Sequence, residues 1–259
     1  MARADRASQL EKAIQGLRSL VMGGALEANE RLSEVALAER LGISRTPLRQ
    51  AMDRLVAEGL LERNETGGCR VASFTYADIV DAIELRGVIE GTAARLAAER
   101  GAPSDHMAEA EECLDGIDAA LSAGGPEDMD FACYVRLNAA FHRIVASLPG
   151  SAMVAREVER ICRLPLASPS AFLRGQEVIP DFRASLDRAQ AHHRALLDAI
   201  ARREGARAEA ISREHARLAR ENLDYLTTIA EPSVATRVPG FSLVLADRDD
   251  TKGDARWRA

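Results

Sequence analysis

Three histidines, His142, His193 and His215, fall on three separate stretches of helical periodicity, each beside apolar residues. At about 100° per residue, His142 lines up with Phe131, Val135 and Val145, and Asn138 sits one turn before it. His193 aligns with Phe182, Leu186, Leu197 and Ile200, and His215 with Ile211, Leu218 and Leu226. A buried imidazole must find a hydrogen-bond partner. Three that converge make an awkward apolar core. Around a divalent cation they become ligands, because neutral imidazole suits zinc, nickel and similar ions. The competing reading is three separately hydrogen-bonded core or boundary histidines. His106 lies on a polar stretch and His192 points about 100° away from His193, so both stay outside the set. Arg86 offers a similar choice. It lies in an apolar arc near Ile89 and Ala93, where a guanidinium suits a ligand carboxylate through charge-assisted bonds; alternatively it forms an i,i+4 surface ion pair with Glu90.

Near the N-terminus the chemistry is that of a charged helix end. Arg45, Thr46 and Arg49 occupy the first turn and a half of a helix that opens after Ser44. Arg45 and Arg49 are four apart and project from one side, while Leu48, Ala51, Met52 and Leu55 face a core. A planar guanidinium can bond guanine O6 and N7 together, which is worth roughly 1–3 kcal/mol of base discrimination. Thr46, the Ser44 hydroxyl and the helix N-terminus can hold phosphate. Gly67 and Gly68 let a hairpin tip approach a minor groove. The alternative is a pair of solvated charges on an ordinary helix.

The elements that carry these groups are mostly helical. Residues 7–22 read as a helix that ends at Gly23-Gly24, with Leu10, Ile14, Leu17 and Val21 on one face. Ser33 caps a helix to Leu41, Gly42 makes a turn, and Ser44 caps a helix that tolerates Pro47 in its first turn and stops at Gly59. Strand-like Leu60–Arg63 and Cys69–Ser73 flank Asn64-Glu65-Thr66-Gly67-Gly68. Three helices followed by a β-hairpin is the winged-helix order. Beyond residue 75 the pattern predicts helices near 75–100, 103–123, 126–148, 151–163, 181–204 and 206–229, with breaks at Gly101-Ala102-Pro103, Gly124-Gly125-Pro126, Pro149-Gly150 and Gly205. Pro165–Pro180 is irregular, and residues 231–259 read as a flexible tail. The expected architecture is therefore mainly α: a winged helix-turn-helix over 1–74, then an all-α bundle over 75–230.

Bulk composition agrees. The 259 residues suit two domains, and aromatics make up only 4%. Residues 1–72 hold 11 Lys+Arg against 10 Asp+Glu, whereas the remainder holds 23 against 30. A near-neutral head on an acidic body suits a small basic surface beside a sensor domain. The four scattered cysteines (Cys69, Cys113, Cys133, Cys162) form no C-x-x-C pair and fit reduced thiols. No apolar run approaches the roughly 20 residues of a membrane helix, and the polar N-terminus shows no secretory signal. A cytoplasmic protein is expected.

At Gly24-Ala25-Leu26, Arg31–Glu34, the run Leu37-Ala38-Glu39-Arg40-Leu41-Gly42-Ile43-Ser44-Arg45-Thr46-Pro47-Leu48-Arg49 and Glu58-Gly59-Leu60, the chain resembles the GntR family of bacterial regulators. It departs from the usual family pattern at Ala28-Asn29 and at Gln50. The segment 75–229 looks like the FCD domain of the FadR subfamily at Leu85-Arg86, Ile89-Glu90, Asn138, Phe141-His142, His193–Ile200 and His215. The resemblance implies a homodimeric, operator-binding regulator, in the usual case a repressor. Its metal would be held by Asn138, His142, His193 and His215, and a small carboxylate effector would reach that metal beside Arg86. Two rivals remain at this point. One is a metal-dependent hydrolase, although no His-Glu-x-x-His spacing supplies a general base. The other is a regulator whose metal is structural or is itself the signal.

Overall fold

The computed structural model describes residues 2–65, 67–122, 129–164, 166–171, 182–228 and 238–245, with side chains from residue 8 onward. The chain divides into two compact units, one of residues 1–80 with 240–259, the other of residues 81–239.

In the first unit, α1 (Ala2–Met22) and α2 (Glu34–Leu41) pack on α3 (Arg45–Ala57). The Ser33 hydroxyl accepts from the Ala36 N–H at 3.4 Å and starts α2. Gly42, at φ +62°, ends it in the left-handed conformation that glycine adopts without a Cβ clash. Strands β1 (Leu61–Arg63) and β2 (Cys69–Val71) pair antiparallel, Leu61 opposite Val71 and Arg63 opposite Cys69. Leu17, Val21, Leu37, Leu48, Leu55, Leu61 and Val71 form the core.

A six-residue strap completes this unit. Gly240 donates its N–H to Met22 O (2.8 Å), Phe74 donates to Leu243 O (2.9 Å), and Leu245 donates to Phe74 O (2.8 Å). Leu243 is fully buried among the core residues of the head. Within the stretch expected as a flexible tail, 231–259, residues 240–245 make backbone pairing and place one apolar anchor in the head. Residues 231–237 and 246–259 lie outside the described residues.

Helix α4 (Tyr76–Arg100) leads into the second unit, followed by α5 (Ser104–Ser122), α6 (Phe131–Ser147), α7 (Ala152–Cys162), α8 (Phe182–Ala201) and α9 (Gly205–Thr228). Leu114, Ile117, Tyr134, Phe141, Leu196 and Ile200 make its core, with α5 against α6 and α8, and α8 against α9. Two glycines let α4 and α9 approach closely. A Cβ on Gly87 would stand 3.0 Å from the Ala216 Cβ, and one on Gly91 would stand 3.1 Å from Glu209 O. That approach brings Arg86 and Glu90 to the level of His215. Two boundaries differ from expectation. The turn before α9 is made at Arg203, in the left-handed region at φ +65°, and Gly205 is the helix's first residue. Helix α6 starts at Phe131, where the Asp130 carboxylate caps the Cys133 N–H at 2.9 Å; the break expected at 124–126 lies outside the described residues. Among the described residues no helix is long and apolar enough to cross a membrane.

Candidate functional site

Helices α6, α8 and α9 bring His142, His193 and His215 together. The Nε2 atoms of His193 and His142 each lie 3.2 Å from His215 Nε2. One ligand atom from each residue falls within 4.8 Å of the others. Burial, reinforced by the neighbouring imidazoles, holds both His193 and His215 well below the ordinary histidine pKa, so both are neutral near pH 7. An imidazole nitrogen carries either one hydrogen or one lone pair. His215 Nε2 therefore cannot satisfy two nitrogen neighbours at once, and its buried Nδ1 has no hydrogen-bond partner. A cation between the three rings removes the conflict. With Zn–N bonds of about 2.0–2.1 Å, tetrahedral ligands stand about 3.3 Å apart, near the two contacts observed. The donor set thus fits a divalent metal.

Asn138 is buried on α6 and lines a cavity of about 40 Å³ with Arg86, Tyr134, Leu186 and His215. Its Nδ2 donates to Ser170 Oγ at 3.3 Å and to Pro169 O at 3.5 Å. Arg86 is 1% exposed and Glu90 6%. Of the two readings of Arg86, the ion pair with Glu90 exists, with Nε 3.6 Å from Glu90 Oε2, but it is buried rather than on the surface. Arg86 Nη2 donates to Ala216 O at 3.3 Å, while Nε and Nη1 make no hydrogen bond. Burial alone would raise the Glu90 carboxyl, but the Arg86 cation, with help from His142, holds it below the ordinary carboxylate range. Glu90 Oε1 stands 3.3 Å from His142 Nδ1. A charge of that kind orients an imidazole whose other nitrogen faces a metal.

Sequence reasoning left three neighbours out. Helical spacing offers Glu90 only as a surface partner of Arg86. Gln190 lies one turn before His193 on the same face, a signal that helical spacing contained. His192 stands with its ring 6.0 Å from that of His215. His106, on α5, takes no part in the cluster.

In the head, Arg45, Thr46 and Arg49 are exposed on α3, as are Ser44, Gly67 and Gly68 around it. Ser44 is the N-cap residue, yet its hydroxyl makes no capping bond. Arg49 Nε donates to Glu34 Oε2 at 2.7 Å, and Arg45 Nη2 is 3.7 Å from the same oxygen. Gly67 stands at φ +89° with open space around it. Thr66 lies outside the described residues.

A three-helix head with a β-hairpin, followed by a helical bundle that buries titratable groups, is the arrangement of a DNA-binding regulator with a second, helical domain. The profile of the "Bacterial regulatory proteins, gntR family" matches residues 9–71, and that of the FCD domain matches residues 81–218. The chain is 31% identical over 182 residues to the "Probable D-xylose utilization operon transcriptional repressor" of Paenarthrobacter nicotinovorans, covering 68% of this chain and 72% of that protein. It is 23% identical to the Glc operon transcriptional activator of Escherichia coli K12, covering 88% and 94%. A regulator of Bacillus subtilis, YdhC, matches at 30% identity, and there the chain spans 55% of the relative's length. Among solved structures, E. coli McbR/YncC superposes with a TM-score of 0.61 at 21% identity over 83% of this chain and 96% of that one. The chain belongs to the GntR family of bacterial transcriptional regulators and carries an FCD domain. The hydrolase alternative falls with this, because the relatives regulate transcription rather than catalyse.

Proposed function

We propose that this regulator acts as a cytoplasmic homodimer on palindromic operator DNA, and that a small carboxylate bound beside a metal in the helical unit changes its grip. Arg45 and Arg49 read guanine edges in the major groove. Ser44, Thr46 and the α3 N-terminus hold phosphate, and the Gly67-Gly68 tip lies along the minor groove. Asn138, His142, His193 and His215 would hold a divalent cation, zinc or nickel by ligand type, which supplies an electrophilic anchor for a carboxylate oxygen. Arg86, with two buried and unsatisfied N–H positions, takes the other end of that anion. The observation that carries this reading is the meeting of three imidazoles with a buried guanidinium. The repressor direction follows the 31% identical relative, named as a repressor.

Elemental analysis of purified protein should find about one divalent ion per chain. A screen of small carboxylic acids should then raise Tm and move operator affinity only in the metal-loaded form. A metal-free protein that responds to the same acids would overturn the reading. The cavity, at about 40 Å³, has room for water-sized groups and favours a second possibility, in which the metal alone is the signal. In that case chelation changes operator affinity with no organic ligand present.

A further inference from the structure

His193 has two ring nitrogens, and only one may carry its hydrogen if the other is to ligate. Its Nε2 faces His215 at 3.2 Å and its Nδ1 faces Gln190 Oε1 at 3.1 Å. The side-chain amide of Gln190 decides between the two tautomers. Gln190 Nε2 lies 3.0 Å from Leu114 O and 2.8 Å from Asp118 Oδ1. A backbone carbonyl and a carboxylate only accept, so the amide nitrogen must face them and the amide oxygen must face His193. That oxygen also only accepts. His193 Nδ1 must therefore carry the hydrogen, which leaves an Nε2 lone pair aimed at the centre of the cluster.

The network continues outward. Asp118 is held by Arg194, which donates from Nε at 3.1 Å and also from Nη2, and Arg194 Nη2 donates to Asp115 at 2.6 Å. Gln190 is 5% exposed, so its amide is held by these partners in a largely buried setting. Helix α5 thus sets the protonation pattern of a histidine on α8.

We infer that Gln190 is a positioning residue for the metal site: clasped by Leu114 O and Asp118, it fixes His193 as the Nδ1–H tautomer and so presents Nε2 as a ready ligand. This rests on the metal reading above, and the test separates the two. Imidazole nitrogen NMR on metal-free wild-type protein should show His193 as the Nδ1–H form; the Nε2–H form would overturn the inference. Zinc is then titrated in competition with a chromophoric chelator. Gln190→Met, of similar volume but without hydrogen bonds, should bind zinc about 10- to 100-fold more weakly and should show mixed His193 tautomers. Wild-type affinity in Gln190→Met, with His193 still Nδ1–H, would overturn the inference. If Gln190→Met does not fold, the wild-type NMR result still decides the tautomer. If wild-type protein takes up no zinc, nickel or cobalt, the metal reading falls and Gln190's role toward a metal falls with it. The tautomer measurement would then report only on the hydrogen-bond network.

Discussion

The head and the helical unit handle polar chemistry in opposite ways. On the head, the groups proposed to work are exposed guanidiniums, held by one shared carboxylate at the start of a neighbouring helix. Water solvates them whether or not they have a partner, so the fold does not depend on them. In the helical unit the groups are buried, and each has to be satisfied by another side chain. Arg86, Glu90 and His142 form one such chain; Gln190 and His193, reached from the half-exposed Asp118, form another. Function and stability are therefore separable on α3 and entangled between α4, α6, α8 and α9.

Substitutions can break that contrast. The largest effect belongs to Arg86→Met, which leaves the Glu90 carboxylate buried without its cation. Removing one partner of a buried pair costs about 3–5 kcal/mol, and denaturant unfolding should register a loss of that order. A loss under about 1 kcal/mol would show that solvent reaches the pair. Acid comes next. The folded-state pKa values of His193 and His215 are depressed, so in metal-free protein their contribution to stability is present above the ordinary value of 6.5. Below that pH the unfolded chain takes up protons that the native state refuses. Stability then falls with a slope approaching about 1.4 kcal/mol per pH unit for each histidine. Melting in the presence of chelator at pH values on both sides of 6.5 checks the sign, and a Tm that rises on acidification would contradict it.

On the head the numbers are smaller and fall on binding. Arg49→Ala should lose roughly 1–3 kcal/mol of operator binding relative to random duplex, with thermal unfolding unchanged. An unaltered footprint would remove Arg49 from base reading. Glu34→Gln should change stability by less than about 1 kcal/mol. Since it removes an anion beside Arg45 and Arg49, it should tighten binding to random duplex more than to operator. A titration over a range of salt concentrations would detect this, and equal tightening on both would make Glu34 a bystander.

The same contrast governs what could be read from the sequence. Helix caps at Ser33 and Asp130, the left-handed Gly42 and the exposed face of α3 depend on neighbours a few residues away, so local spacing exposed the first, third and fourth. The faces of His142, His193 and His215 were legible from periodicity. Periodicity says which residues share a face, however, and not what lies opposite. Glu90 was visible as a helical neighbour of Arg86, but its burial depends on α6 and α9. Gln190 was on the right face, but its role depends on Leu114 and Asp118, more than 70 residues earlier. The strap was the least legible part, since Leu243 is a single apolar anchor in a non-periodic stretch and its partners, Met22 and Phe74, lie far back in the chain.

That strap has a practical consequence for anyone wishing to study operator binding in isolation. A fragment ending near residue 75 would omit Leu243 and carry an apolar notch where that side chain belongs. It would also leave Met22 O and both polar groups of the Phe74 backbone facing solvent. Fusing residues 238–245 back through a short flexible peptide should give a better-behaved minimal DNA reader than truncation alone.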